Sequence, residues 1–120
     1  MSQSVPLSLG VDLIEIKKAR RLYDNHKDSL DSFFSPREIS YIRTGQRPHE
    51  NLAVLLASKE AVFKAIPCLG TGVAAFRNIE ITPQKANRFS VRLRETAKKV
   101  VVKFSILKDK KYVVVQCAGI

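Results

Sequence analysis

From about Glu50 to Ile66 the sequence predicts its longest helix, and from Leu52 to Ala57 that helix is apolar on nearly every side. An ordinary surface helix carries one apolar stripe and leaves the rest to water. This one has no polar face over its first half, so other elements must enclose it. The six-residue run is far short of the roughly 20 apolar residues that span a bilayer. It therefore reads as the axis of a soluble core, and any fold for this chain is a fold wrapped around that helix.

The wrapping is supplied on both sides in the sequence. Ahead of the helix, Leu7, Leu9, Val11 and Leu13 alternate with Ser8, Gly10 and Asp12, a period of two that predicts a strand with its leucines and valine buried and Asp12 on the opposite face. Residues from about Glu15 to Tyr23 switch to helical spacing. Ile16, Ala19 and Tyr23 share one side, and Lys17, Lys18, Arg20 and Arg21 lie largely on the others. Ser35, Pro36 and Glu38 supply an N-cap, a first-turn proline and a capping-box carboxylate for a helix to about Arg43, stopped by Thr44 and Gly45. Pro67 ends the long helix, and Gly70, Thr71 and Gly72 form a loop.

After that loop the pattern is mostly strand: Phe76 to Thr82, Arg88 to Leu93, Val100 to Leu107 and Tyr112 to Ala118, with a helical turn around Glu95 to Lys99 and a hairpin at Lys108 to Lys111. Helices early and strands late predict an α+β fold, an antiparallel sheet packed with the long buried helix. At 120 residues without repeats or linkers, the chain should be one domain, residues 1–120, with a core large enough to need no disulfide or structural metal.

Charge narrows the partners. Lys and Arg number 21 against 11 Asp and Glu, a net charge of +10. Residues 85–120 hold 10 of the basic groups and only 2 of the acidic ones. Such an excess calls for an anionic partner without choosing among nucleic acid, membrane surface, phosphorylated metabolite and acidic protein. Cys68 and Cys117 lack metal or redox spacing and no signal-like run opens the chain, so a cytoplasmic setting with two filler thiols is expected. His26 and His49 have no nearby metal-ligand partners and read as solvated.

Two carboxylates bear on chemistry. Glu60 lies in Ala57-Ser58-Lys59-Glu60-Ala61 on the apolar helix, with Lys64 one turn on. Read by itself, it is a surface Glu60–Lys64 pair worth about 0.2 to 0.5 kcal/mol. Asp12 by itself is a strand-end carboxylate or the N-cap of the next helix. Together they offer what a Mg²⁺ shared with a polyphosphate needs: one or two carboxylates, with phosphates and water completing the shell. Lys64 would neutralise phosphate charge as it builds. Their separation of 48 residues leaves open whether Asp12 and Glu60 meet.

Gly10-Val11-Asp12-Leu13-Ile14-Glu15-Ile16 resembles the opening motif of bacterial holo-acyl-carrier-protein synthases, the short type of 4'-phosphopantetheinyl transferase. Phe34-Ser35-Pro36-Arg37-Glu38-Ile39 resembles that family's second motif, and Leu52 to Ala65, with Lys59-Glu60-Ala61 and Lys64, its third. Gly70-Thr71-Gly72, Phe76 to Ile81, Ser105 and Tyr112 to Gln116 follow in the family's order, so the likeness covers nearly the whole chain.

The resemblance implies Mg²⁺-dependent transfer of 4'-phosphopantetheine from coenzyme A to a serine of an apo acyl carrier protein, in fatty-acid or polyketide metabolism, releasing adenosine 3',5'-bisphosphate. It implies a homotrimer with sites between subunits. Carried over, Asp12 and Glu60 would be metal ligands, and Glu60 or a metal-held water would take the serine proton. Lys64 would touch the phosphate undergoing displacement. Gly70, Thr71, Gly72 and Ser105 would line the coenzyme, and Lys18 and Arg21 would meet the acidic carrier.

The chain departs from the family pattern at two informative places: Leu55 stands where an arginine is usual, and Lys108 where a histidine is usual. A carrier-binding module of the same fold without turnover is therefore the second reading. A nucleic-acid-binding domain, suggested by Arg88, Arg92 and Arg94 with Phe89 and by Lys98, Lys99 and Lys103, is the third. It ranks last because the late aromatics fit alternating buried positions and no nucleic-acid motif occurs.

Overall fold

A computed structural model describes residues 8–65, 77–83, 89–93, 99–100 and 102–119. The chain starts in strand β1 (Ser8–Glu15), passes directly into helix α1 (Ile16–His26), makes a short 3-10 turn (Leu30–Ser32), and continues through α2 (Pro36–Arg43) into α3 (Pro48–Ala65). Five strands follow: β2 (Ile79–Pro83), β3 (Phe89–Leu93), β4 (Lys99–Val100), β5 (Val102–Lys108) and β6 (Tyr112–Gly119). This is the α+β order that the sequence predicts. The strands make two three-stranded antiparallel sheets rather than one, ordered β1-β6-β5 and β2-β3-β4. The predicted loop at Gly70 to Gly72 lies outside the described residues, as does most of the turn expected from Glu95.

The start of α2 follows directly from its sequence. Ser35 Oγ accepts the Glu38 amide at 3.3 Å, and Glu38 Oε1 accepts the Ser35 amide at 2.9 Å, closing the capping box with Pro36 at the first helical position. Gly45, at φ 76°, then turns the chain in the left-handed region after the helix. The β5–β6 turn is held by Asp109, whose Oδ1 accepts the amides of Lys111 and Tyr112, each at 2.7 Å.

Helix α3 is enclosed as its composition requires. Leu52, Ala53, Val54, Leu55, Ala57, Ala61, Val62 and Ala65 are buried, and β1 and β6 lie along it, with α1 and α2 on its other sides. Outward-facing residues of its second half reduce to a narrow strip that includes Glu60 and Lys64. Tyr41 of α2, Phe89 of β3 and Phe104 of β5 meet edge to face, with centroids 6.1 and 5.9 Å apart, and join the smaller sheet to the larger.

One expectation is reversed. The face of β1 that packs on α3 carries Gly10, Asp12 and Ile14, whereas the apolar residues of the alternation point outward: Leu9 is 67% exposed, Val11 49% and Leu13 57%. The cause is the closeness of strand and helix. A Cβ at Gly10 would overlap the Ala61 carbonyl oxygen and come within 2.9 Å of the Ala65 amide nitrogen. The side with the glycine can approach a helix backbone this closely, and the side with the leucines cannot. Period two located the strand, but hydrophobicity assigned its inner face wrongly.

Candidate active site

The close crossing at Gly10 brings the two carboxylate-bearing segments together. Two residues beyond Gly10, Asp12 projects from the same face of β1 toward the final turn of α3. Lys64 reaches across, donating to Asp12 Oδ1 at 3.0 Å and to the Val11 carbonyl at 3.1 Å. Asp12 is largely covered, with its side chain 20% exposed, so the ion pair is shielded on one side and open to solvent on the other. Glu60 stands one helical turn before Lys64 on the same exposed strip. Among the described residues Lys64 pairs with Asp12 rather than with Glu60, which departs from the simple i,i+4 reading.

The result is an ion pair built where a strand and a helix meet backbone to backbone, with a second carboxylate, Glu60, one helical turn from its lysine. Such an arrangement can bind a phosphate through the lysine and a hard divalent cation through the carboxylate oxygens. Its donor set holds no group of three or more His, Cys, Asp and Glu among the described residues. Two carboxylates are nevertheless the number that Mg²⁺ takes when phosphate oxygens and water fill the remaining positions, so the residues present fit that metal.

Other predicted residues lie elsewhere. Lys18 and Arg21 are exposed on α1, together with Lys17 and Arg20, while Ala19 is buried and Leu22 and Tyr23 pack against the core. Ser105 is exposed on β5 opposite Gln116, which pairs in turn with Val11. It thus sits on the outer face of the large sheet, the side away from Asp12 and Lys64. Within one chain these groups are not neighbours. Gly70, Thr71 and Gly72 fall outside the described residues, as does Cys68. Cys117 is buried, and burial pushes its thiol up to about 11, in keeping with a filler role.

Two features were not foreseen. Lys59 and Glu38 are both fully buried and form an ion pair at 2.8 Å. Its signal was present in part: Lys59 has Leu55, Leu56, Val62 and Phe63 three and four residues away, and the carboxylate oxygen of Glu38 that accepts the Ser35 amide can accept a second donor. The second feature is a cleft of about 580 Å³ between α1, the α2–α3 junction and the β5–β6 turn. Arg20, Arg47, Lys108 and Lys110 line it, balanced in part by Glu50 and Asp109. Glu50 receives Lys108 at 2.7 Å and Arg47 at 3.4 Å. The hydrogen bond from Lys108 holds the Glu50 carboxyl below its usual range. His49, read from sequence as solvated, is only partly exposed and approaches Asp24 at 3.4 Å, with Tyr23 edge-on to its ring.

The two departures from the family pattern have definite places. Leu55 is fully buried in the centre of α3, where an arginine in this packing would have to bury its charge and so would need a partner. Lys108 lies on the rim of the cationic cleft, paired with Glu50.

The family model that matches this chain is described as the 4'-phosphopantetheinyl transferase superfamily and aligns with residues 8–117. A holo-[acyl-carrier-protein] synthase of Moorella thermoacetica is 36% identical over 94 residues, covering 78% of this chain and 73% of the relative. One from Clostridium perfringens is 38% identical over 93 residues, covering 76% and 68%. Among solved structures, the Chronobacterium ammoniagenes ACPS–CoA complex superposes with a TM-score of 0.73 at 25% identity, covering 96% of this chain and 97% of that one. The Bacillus anthracis holo-(acyl-carrier-protein) synthase, solved with coenzyme A (3',5'-ADP), gives 0.72 at 24% identity and supports the fold.

Proposed function

This chain belongs to the 4'-phosphopantetheinyl transferase superfamily, and from that membership we propose that it transfers 4'-phosphopantetheine from coenzyme A to a serine of an apo acyl carrier protein. The observation that carries the proposal is the meeting of Asp12 and Lys64 at 3.0 Å, with Glu60 one turn away, at the crossing of the two segments that most resemble the family's motifs.

Asp12 and Glu60 would hold Mg²⁺ against the coenzyme's diphosphate. When bound, the metal supplies Lewis-acid neutralisation of the charge that gathers on the phosphate oxygens. Lys64, held in place by Asp12, donates to the same phosphate group. The carrier's serine oxygen forms a bond to the phosphorus on the pantetheine side of the diphosphate. The bond from that phosphorus to the bridging oxygen breaks, and adenosine 3',5'-bisphosphate leaves with the electron pair. Glu60 accepts the serine proton, an assignment favoured by its exposed carboxylate, which no described residue engages.

Substrate positions follow from charge. Lys18 and Arg21, on the exposed face of α1, meet the acidic carrier. The cleft bounded by Arg20, Arg47, Lys108 and Lys110 receives the phosphorylated ribose end of coenzyme A, which gives part of the basic last third a role. Gly70, Thr71 and Gly72 complete the nucleotide loop by resemblance. The outward face of the large sheet supports a homotrimer: Leu9, Val11 and Leu13 of β1 are exposed there, and Leu107 of β5, 70% exposed, lies across Val114 of β6 from Leu13, exposed apolar side chains of the kind that interfaces bury. Ser105 and Gln116 share that surface, so Ser105 would reach the coenzyme only across a subunit boundary. No helix among the described residues is long and apolar enough to cross a membrane, and the proposed setting is the cytoplasm, in fatty-acid biosynthesis.

Product analysis tests the proposal. Adenosine 3',5'-bisphosphate should appear in one-to-one ratio with modified carrier, and EDTA should stop both until excess Mg²⁺ is restored. Carrier modification unaffected by EDTA would remove the metal from the scheme, and absence of the nucleotide product would remove the reaction.

A further inference from the structure

Helix α3 presents a problem of orientation. A helix with one apolar stripe is fixed in rotation by the core that the stripe seeks. A helix apolar nearly all round gains similar burial at many rotations, so hydrophobicity alone does not fix where its polar residues point. Yet the proposed chemistry depends on rotation, because Glu60 and Lys64 occupy the narrow exposed strip. Successive residues on a helix are about 100° apart. Fixing the direction of Lys59 therefore fixes the direction of Glu60.

Lys59 is fixed firmly. Its Nζ donates to Glu38 Oε1 at 2.8 Å, lies 3.4 Å from the Phe33 carbonyl and sits 5.1 Å from the centroid of the Phe34 ring. Glu38 is itself immobilised from two further directions: Oε1 accepts the Ser35 amide and Oε2 the Ile81 amide, each at 2.9 Å. One buried carboxylate thus ties the cap of α2, the first sheet strand after the long helix, and the inner side of α3 to a common point. Removing one partner of such a pair leaves a buried charge without compensation, whereas replacing both by neutral groups of similar size is often tolerated.

We infer that the Glu38–Lys59 pair is a positioning device that sets the rotation of α3 and so aims the Glu60 carboxylate at the site. Lys59 and Glu38 do not touch substrate in this account; they act through Glu60. The inference rests on the reading of Glu60 as a metal ligand and proton acceptor.

The test is the double variant Glu38→Gln/Lys59→Met, compared with wild type for thermal midpoint, kcat, KM for coenzyme A and carrier, and Mn²⁺ binding by electron paramagnetic resonance with coenzyme A present. With the midpoint near that of wild type, kcat should fall about tenfold or more while both KM values stay within about twofold, and Mn²⁺ should bind more weakly. A folded double variant with wild-type kcat and Mn²⁺ binding overturns the inference and leaves the reaction standing. Should the double variant not fold, Lys59→Arg keeps the charge on a longer side chain, and unchanged kcat and Mn²⁺ binding there overturn it equally. A wild-type chain that binds no Mn²⁺ and leaves the carrier unmodified overturns the underlying reading, and the inference with it.

Discussion

A single methyl group at position 10 would collide with the carbonyl oxygen of Ala61, and that collision has no side-chain remedy because the three nearest atoms all belong to backbone. Gly10 is thus where fold and site depend on the same contact: the crossing it permits is also what brings Asp12 to Lys64. Gly10→Ala should lose about 3 kcal/mol, at the upper end of the usual cost of overpacking, as measured by urea denaturation. A variant of wild-type stability would show that the strand and helix are not so close. At this scale the sequence was legible where a residue's partners are local. Ser35, Pro36 and Glu38 form the expected cap because all three lie within one turn. The burial of Lys59 was signalled by its apolar helical neighbours, but its pairing with Glu38 was not legible, since Lys59 and Ile81 are 21 and 43 residues from Glu38 and only the folded chain brings them near.

At the scale of elements, periodicity placed the helices and most strands within a few residues, because burial on one side imposes a period that local reading detects. It failed on the direction of β1, where close backbone packing outweighed side-chain hydrophobicity and turned the leucines outward. Contacts between elements were equally invisible. The start of α3 is tied to the end of β5 by Glu50 and Lys108, residues that no spacing rule pairs. That tie has a consequence for pH. Glu50 has a lowered pKa in the folded protein, first because of the hydrogen bond from Lys108 and also because of Arg47. A carboxyl depressed on folding contributes stability that is present above its unfolded value, about 4.3 for glutamate, and that is lost as the pH falls through the lower folded value. Glu50→Gln should therefore flatten the fall in thermal midpoint below that pH and make little difference at acidities where the carboxyl is already protonated. An unchanged acid limb in the variant would mean that the Glu50–Lys108 contact contributes nothing in solution.

For the whole molecule, among the described residues part of the basic excess gathers on separate surfaces: the exposed basic face of α1, the cationic cleft at the β5–β6 turn, and the lysine paired with Asp12. The apolar face of the large sheet has the opposite character and carries the proposed assembly. Leu13→Glu, placed amid Val114 and its neighbours on that face, should convert a trimer to monomer in light scattering. If sites form between subunits, it should abolish turnover without unfolding the chain. A wild-type protein that is monomeric and fully active would contradict that account. The central claim concerns the reaction itself, and the mass of an apo acyl carrier protein after incubation with this chain, coenzyme A and Mg²⁺ tests it most directly. Wild type should add the mass of one phosphopantetheine group, and Glu60→Ala, folded and at equal concentration, should add it at least about a hundredfold more slowly. An unmodified carrier with wild type, or equal rates with the two proteins, would contradict the account.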